Sequence, residues 1–279
     1  MKKAGVVILY NPDIKDVIKN INSYVRHLDK LYVIDNSDTS HEDSFVGLSS
    51  NIEYVANLKN NGISAVLNMA ALKAIQDGND VLLTMDQDSF FSEEMVNKYS
   101  SFVDNLDWSK ISVVGVAPKD YEDHLLLEKN LEPAILTPVQ LLITSGSFLN
   151  LKLFNSVGGF DERLFIDWVD YDYCLRSILA GYLVCLASNI YLFHVGGTPY
   201  KFLGKKIALY SPERYYYIFR NHLYMWHKYI KSFPKLIFKN ILVNIFLSIL
   251  PNIILSKSKV KFIASLNRAV RDIPKVFKK

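Results

Sequence analysis

The sequence predicts an α/β protein: a mostly parallel sheet flanked by helices, Rossmann-like in pattern, followed by a basic and apolar helical appendage. Three observations carry this. Short β-branched runs alternate with helical patterns over the first 120 residues, and repeated strand–helix–strand units with short linkers build parallel sheets covered by helices. Half of the 279 residues are hydrophobic, 13% aromatic and 22% charged, which suits a packed core and excludes disordered, collagen-like or low-complexity chains. Charge is unevenly divided: residues 1–200 hold 15 Lys and Arg against 26 Asp and Glu, whereas residues 201–279 hold 17 against 2. The formal net charge of +4 conceals an acidic body and a basic tail.

The elements follow in order. Met1-Lys2-Lys3 before Ala4–Leu9 has the outline of a secretion signal, but the apolar stretch is too short. Asn11-Pro12-Asp13 also stands where small residues should be, so Val6–Leu9 reads as the first buried strand. Further strands are predicted at Leu31–Ile34, Ile52–Val55, Val81–Met85 and Ile111–Val116, with helices at Ile14–Leu28, Ile63–Gln76 and Glu93–Leu106. From Pro138 to Val195 the pattern is mixed: a Gly158-Gly159 turn, a helix near Tyr171–Ala180 and a strand around Leu183–Leu186. Composition changes near Gly196–Lys206, which divides the chain into an acidic α/β body, 1–205, and a helical tail, 206–279. Cys174 and Cys185 are the only cysteines, which excludes a disulfide framework and favours a reducing compartment.

The longest uncharged run, Asn240–Ser256, is broken by polar residues and falls short of a membrane-spanning helix. On a helix, Lys235, Lys239, Asn240, Asn244, Ser248 and Asn252 form a narrow polar stripe beside a wide apolar face. Lys228, Lys231, Lys257, Lys259, Lys261, Arg268 and Arg271 flank it. That arrangement suits a helix lying among the headgroups of an anionic leaflet. It also suits a helix buried in a tail domain or a homodimer interface. Nucleic acid is not an expected partner, because the tail is too apolar and no binding motif is present.

The common motifs exclude several chemistries. No G-x-G-x-x-G follows the first strand, no phosphate loop with its lysine occurs, and neither Cys has a second Cys at zinc-ligand spacing. Ser145-Gly146-Ser147 is not a nucleophile elbow. What remains is carboxylates. Three predicted strands end in polar clusters, Asn11-Pro12-Asp13, Asp35-Asn36-Ser37 and Asp86-Gln87-Asp88, and in parallel sheets ligands bind at the carboxyl ends of the strands. Two acids one residue apart repel one another unless a divalent cation such as Mg²⁺ or Mn²⁺ joins them to a phosphate. As alternatives, Asp88-Ser89 could cap the helix near Glu93, and Asp35 could close an Asx turn. A third cluster holds Asp161, Glu162, Asp167, Asp170 and Asp172, with Trp168 offering a ring on which a sugar could stack. Acids in a first helical turn also answer the macrodipole. His194 suits either a structural histidine or a metal ligand.

The ordered set of motifs resembles glycosyltransferase family 2. It comprises Leu9-Tyr10-Asn11-Pro12-Asp13, Val33–Ser37, Asn61-Gly62-Ile63, Asp86-Gln87-Asp88, Gly158-Gly159-Phe160-Asp161-Glu162, Phe165–Asp170, Tyr171–Arg176 and His194. The likeness covers about residues 4–225, including Arg214-Tyr215-Tyr216-Tyr217 and Arg220-Asn221, and is nearest to the rhamnosyltransferase branch that makes bacterial surface polysaccharide. The resemblance implies a GT-A fold and an inverting, metal-dependent sugar transfer. By position, it implies that Asp35 contacts the nucleobase, that the loop of Tyr10, Asn11 and Asp13 lies along the nucleotide, that Asn61 binds substrate, and that Asp86 holds the sugar or ribose side. It further implies Mn²⁺ or Mg²⁺ on Asp88 and His194, and Asp170 as general base. Asp167 and Trp168 would line the substrate site.

Three departures stand out. The frequent Glu-Asp pair is Val169-Asp170, which makes Asp167 a rival base; Ala70 stands where a second glycine is common; and the Gln-x-x-Arg-Trp signature of processive synthases is absent. The partners implied are a nucleotide-sugar donor, dTDP-L-rhamnose foremost and UDP-galactofuranose or a UDP-hexose next, and a lipid-linked glycan or saccharide acceptor. The expected location is cytoplasmic, peripheral on the inner face of the membrane. A non-catalytic nucleotide-sugar scaffold and a nucleotidyltransferase fit less well: intact Asp88, Asp170 and His194 oppose the first. The second would need a Gly-rich, basic triphosphate loop, which the N-terminus lacks.

Overall fold

The computed structural model describes residues 1–120, 132–194, 200–202, 205–207, 210–244, 249–255 and 259–277. The chain forms two compact units, one of Met1–Asp161 with Asp170–Val195 and the other of Glu162–Val169 with Gly196–Lys279.

In the first unit, the chain order is β1 (Lys3–Leu9), α1 (Ile14–Asn22), β2 (Lys30–Asp35), β3 (Ile52–Ala56), α2 (Ile63–Gln76), β4 (Val81–Asp86) and β5 (Ser89–Phe90). Then come α3 (Glu93–Asp104), β6 (Ile111–Asp120), β7 (Ile135–Pro138), β8 (Ser147–Asn150), α4 (Leu151–Val157), α5 (Val169–Leu179) and β9 (Leu183–His194). The strands form one sheet in the order β3-β2-β1-β4-β8-β6-β9-β5, with β7 paired on β9. The block β3-β2-β1-β4 is parallel, as is β6 with β9; β8, β5 and β7 join antiparallel. The parallel strands are near-continuous apolar runs because both faces are covered: Val81, Leu82, Leu83, Thr84 and Met85 are all at most 3% exposed.

Helix boundaries follow local chemistry. Helix α2 runs over the residues its pattern predicts. Helix α1 stops at Asn22 rather than Leu28, since the Ser23 hydroxyl turns back to donate to the Asn20 carbonyl and a 3₁₀ turn at Val25–His27 follows. Ser92, not Asp88 or Ser89, caps α3 by accepting from the Met95 amide. Strand β9 is far longer than the apolar run Leu183–Leu186, because pairing with β6, β7 and β5 carries it to His194.

The second unit contains the pair β10 (Tyr200–Phe202) and β11 (Lys205–Ile207) and helices α6 (Pro212–Tyr229), α7 (Pro234–Asn244), α8 (Leu250–Leu255) and α9 (Lys259–Phe277). Ser211 caps α6 and Pro212 occupies its first position, where a missing N–H costs nothing. Tyr215 and Ile218 of α6 pack with Ile249 and with Phe262 of α9. Of the amphipathic helix expected through Lys235–Asn252, the described residues are helical at Pro234–Asn244 and Leu250–Leu255. Residues 245–248 of that stretch lie outside the described residues, and Pro251 sits in the first turn of α8, where proline is tolerated. Lys257 also lies outside them.

Candidate active site

Parallel register brings the three polar clusters to one edge. Leu9 pairs with Asp35 and Ile8 with Asp86, so the chain leaves β1, β2 and β4 at the same level. Cross-links hold the exits together. The Tyr10 amide donates to Gln87 Oε1 (2.8 Å), the Asn11 amide to Ser37 Oγ (2.8 Å), and Asn20 Nδ2 to the Gln87 carbonyl (2.9 Å). Asn36, 2% exposed, accepts at Oδ1 from Asn57 Nδ2 (2.9 Å) and the Asn61 amide (3.3 Å), which ties β2 to the loop before α2.

Within this edge the predicted residues differ in what they offer. Tyr10 is 48% exposed and Asn11 is exposed, the latter with φ of 46°. Asp13 caps α1, accepting at Oδ1 from the Lys15 and Asp16 amides. Asp35 is 1% exposed. Its Oδ1 closes an Asx turn with the Ser37 amide (2.9 Å), while Oδ2 accepts from Tyr54 Oη (2.6 Å) and His41 Nδ1 (2.7 Å). Burial alone would raise the Asp35 pKa, but the donated hydrogen bonds of Ser37, Tyr54 and His41 together outweigh it and hold the carboxyl below its usual range.

A second group assembles where β5, which follows β4 in the chain, pairs with β9. After Asp86-Gln87-Asp88 the chain turns into the two-residue strand β5, and its register sets Ser89 opposite His194. This register brings Asp88 Oδ1 to 3.4 Å from His194 Nδ1, with Ser89 Oγ 2.9 Å from the same nitrogen. Asp86, Asp88 and His194 each present one ligand atom within 4.8 Å of the others. Oxygen and nitrogen ligands around one ion at about 2.1 Å stand about 3–4 Å apart, so two carboxylates and an imidazole at this spacing fit a hard or borderline divalent cation. Ser89, 0% exposed, is a contact that no local pattern announces.

Asp170 opens α5. Its Oδ1 accepts from the Tyr171 amide (2.8 Å) and its Oδ2 from the Thr144 amide (3.3 Å). The loop holding Thr144 is tied to β4: Thr84 Oγ1 donates to the Thr144 carbonyl (2.5 Å), and Ser145 Oγ accepts from the Asp86 amide (3.2 Å). One short loop therefore connects the carboxylate of Asp170 to the strand that ends in the metal-type acids. Ser145-Gly146-Ser147 is this brace. Burial, and secondarily the charge of Asp170, pushes the Tyr171 phenol up to about 12, so it stays protonated at neutral pH. Cys174, also pushed up to about 12 by burial, is a packing residue rather than a nucleophile. Asp172, 0% exposed, receives Arg176 Nε (2.7 Å), and the same guanidinium donates to the carbonyls of Val157 and Gly159.

Asp167 and Trp168 belong to the second unit. Arg214 meets Asp167 through two bonds of 2.8 and 2.9 Å. Trp168 is 7% exposed and packs edge-on against His222, ring centroids 5.1 Å apart, which leaves little of its ring for sugar stacking. Phe165, Asp167 and Trp168 all have φ between 62° and 67°. Each non-glycine residue held there costs about 1–2 kcal/mol. Asn221 Nδ2 donates to the carbonyls of Leu164, Ile166 and Asp167, and Arg220 Nη2 to those of Arg163 and Leu164. At about 1 kcal/mol each, these five bonds are of the size needed to offset that strain.

No family model matches the chain. Its sequence is 28% identical over 241 residues to dTDP-rhamnosyl transferase RfbF of Shigella flexneri, covering 80% of this chain and 79% of that protein. Among solved structures it superposes on GalNAc-T7 with UDP, GalNAc and Mn²⁺ with a TM-score of 0.64 at 11% identity, covering 99% of this chain. It spans only 57% of that chain's length. It also superposes on S. aureus TarS 1–349 in complex with UDP-GlcNAc, with a TM-score of 0.60 at 15% identity, covering 99% of this chain and 83% of that one. The chain is a GT-A-fold glycosyltransferase. The transferase has its carboxylate clusters at the strand ends, the edge at which open α/β sheets bind ligands.

Proposed function

We propose that this transferase moves one L-rhamnosyl residue from dTDP-rhamnose to a lipid-linked or polysaccharide acceptor, with inversion and with a divalent cation. The observation that carries the chemistry is the Asp86–Asp88–His194 cluster; the similarity to a dTDP-rhamnosyl transferase supports the donor. When bound on Asp88, His194 and Asp86, Mn²⁺ or Mg²⁺ would neutralise the leaving diphosphate. The protein's own residues do the rest. Asp170, oriented by the Thr144 and Tyr171 amides, takes the proton of the acceptor hydroxyl as that oxygen attacks C1 and the C1–O bond to the diphosphate breaks. Displacement in one step inverts the anomeric centre and needs no covalent nucleophile. Tyr10, Asn11, Asp13, Asp35 and Asn61 edge the nucleotide site. A UDP-hexose or UDP-galactofuranose donor is the second reading, favoured by the UDP and UDP-GlcNAc bound in the superposed structures.

The tail would hold the enzyme against an anionic leaflet from the cytoplasmic side. On α9, Val260 is 82%, Ile263 50% and Val270 55% exposed, interleaved with exposed Lys259, Lys261 and Arg271. Among the described residues no helix is long and apolar enough to cross a membrane.

A screen of nucleotide sugars by thermal shift and by transfer, with Mn²⁺, Mg²⁺ or EDTA, tests the reading. Only dTDP-rhamnose should shift the melting temperature and support transfer, and EDTA should abolish transfer. Asp170→Asn should lose at least about 100-fold in kcat with the donor-induced shift intact. Activity unchanged in EDTA would remove the roles of Asp88 and His194, and near-normal turnover by Asp170→Asn would move the base to Asp167.

A further inference from the structure

The turn that leads into α5 is built against conformational preference, and a pair of adjacent side chains, Arg220 and Asn221, bonds its backbone carbonyls. Within Glu162–Val169, three non-glycine residues, Phe165, Asp167 and Trp168, adopt the left-handed conformation, which bulky residues avoid. Asn221 is 0% exposed, and its amide nitrogen donates to three carbonyls of the turn at 2.7–3.0 Å. Its amide oxygen is engaged in turn by Arg220 Nε (3.0 Å) and Nη2 (2.7 Å), which fixes which way the amide points. Arg220, 8% exposed, adds bonds to the Arg163 and Leu164 carbonyls. Phe165 stacks on Tyr217 of the same helix, centroids 4.8 Å apart and planes 14° from parallel. Strain of this kind survives only where surrounding contacts over-determine it, and it gathers at functional sites.

We propose that Arg220 and Asn221 are positioning residues for the saccharide acceptor, clamping the left-handed Phe165–Trp168 turn and so fixing the backbone that carries Asp167 and Trp168. The acceptor is the relevant substrate because the chain runs from this turn, within two residues, into the base that deprotonates it; in this respect the inference rests on the proposed transferase reading. The clamp is a relay: Arg220 orients the Asn221 amide, and Asn221 orients the turn. Neither side chain need touch the reacting atoms.

The buried Trp168 reports the turn without reference to catalysis. In a Trp108→Phe, Trp226→Phe background, Asn221→Ala and Arg220→Ala should raise acrylamide quenching of Trp168 severalfold, and Arg220→Lys, which keeps a donor for the two carbonyls, should restore much of the protection. The thermal shift given by dTDP with Mn²⁺ should stay as in the parent. With dTDP-rhamnose and an alkyl rhamnoside, acceptor kcat/KM should fall about 100-fold while the donor KM holds. Unchanged quenching in both alanine variants would overturn the clamp. So would equal losses in donor and acceptor parameters that track a lowered melting temperature, since that is a purely structural role. A parent protein that neither binds nor uses any nucleotide sugar would overturn the transferase reading instead, and Trp168 quenching alone would then decide the clamp.

Discussion

At the scale of single residues, several acids that look alike in the sequence do different work. Asp172 and Asp13 serve the backbone and a neighbouring guanidinium, as an ion pair within α5 and a cap on α1. Asp170 keeps both oxygens on backbone amides at a helix start, and Asp167 is matched by Arg214. Asp35 is buried among three hydrogen-bond donors. Its depressed pKa means that the ionised form is favoured in the folded state. The stability it contributes is therefore present above the unfolded value of about 3.9 and lost as pH falls through the lower folded value. Asp35→Asn should cost about 1–3 kcal/mol at pH 7, measured by urea unfolding. The gap to the parent should shrink as the pH is taken from about 4 toward the folded-state value. A gap independent of pH would mean that shape, not ionisation, holds this corner.

The element that organises the site is the loop between β7 and β8, which ends in Ser145-Gly146-Ser147. Gly146 has φ of 77°, and a Cβ there would stand 2.1 Å from Leu192 Cδ2 and 2.8 Å from Val116 Cγ2, both in the core. Its amide donates to the Thr84 carbonyl (2.8 Å), and its carbonyl accepts from Tyr99 Oη (3.0 Å). Gly146→Ala combines a left-handed penalty with overpacking, so a loss of about 2–4 kcal/mol is expected, read as a fall in melting temperature. Because the same loop presents Thr144 to Asp170, turnover should drop even at temperatures where the variant remains folded. A variant as stable and active as the parent would show that the loop is not the brace described. The repeating strand–helix pattern was legible here and this loop was not. Its residues have no periodicity, and their conformation comes from Thr84, Tyr99 and Leu192, which are distant in sequence.

At the scale of the whole molecule, the division of charge is the feature to explain. Phe262 of α9 packs on Tyr215 of α6 with centroids 4.7 Å apart, and Phe277 on Tyr224 at 5.4 Å. Truncating the tail before α9 would therefore expose the core of the second unit, and surface substitutions are the cleaner probe. The parent should sediment with phosphatidylglycerol vesicles at low salt and be released as salt rises. Val260→Asp with Ile263→Asp, or charge reversal at Lys259, Lys261 and Arg271, should reduce that binding at least tenfold, near 1 kcal/mol for each basic residue removed. Equal binding by all variants would reject the membrane surface and leave a second copy of the chain as the alternative.

The sequence by itself determined the parallel sheet, the strand-end acids and the basic tail. These follow from local periodicity, from the chemistry of adjacent carboxylates and from simple charge counts, none of which needs a partner distant in the chain. The tertiary structure alone decided which acids meet. His194 reaches Asp88 only because a two-residue strand pairs Ser89 across from it at a separation of 105 positions. Asp170 is linked to β4 through the 144–147 loop, which is distant from both in sequence. Asp35 is enclosed only because Tyr54 and His41 converge on it. Pairing register and the closure of loops are set by the packing of the whole core, so the partners of each acid could not be read from the residues beside it.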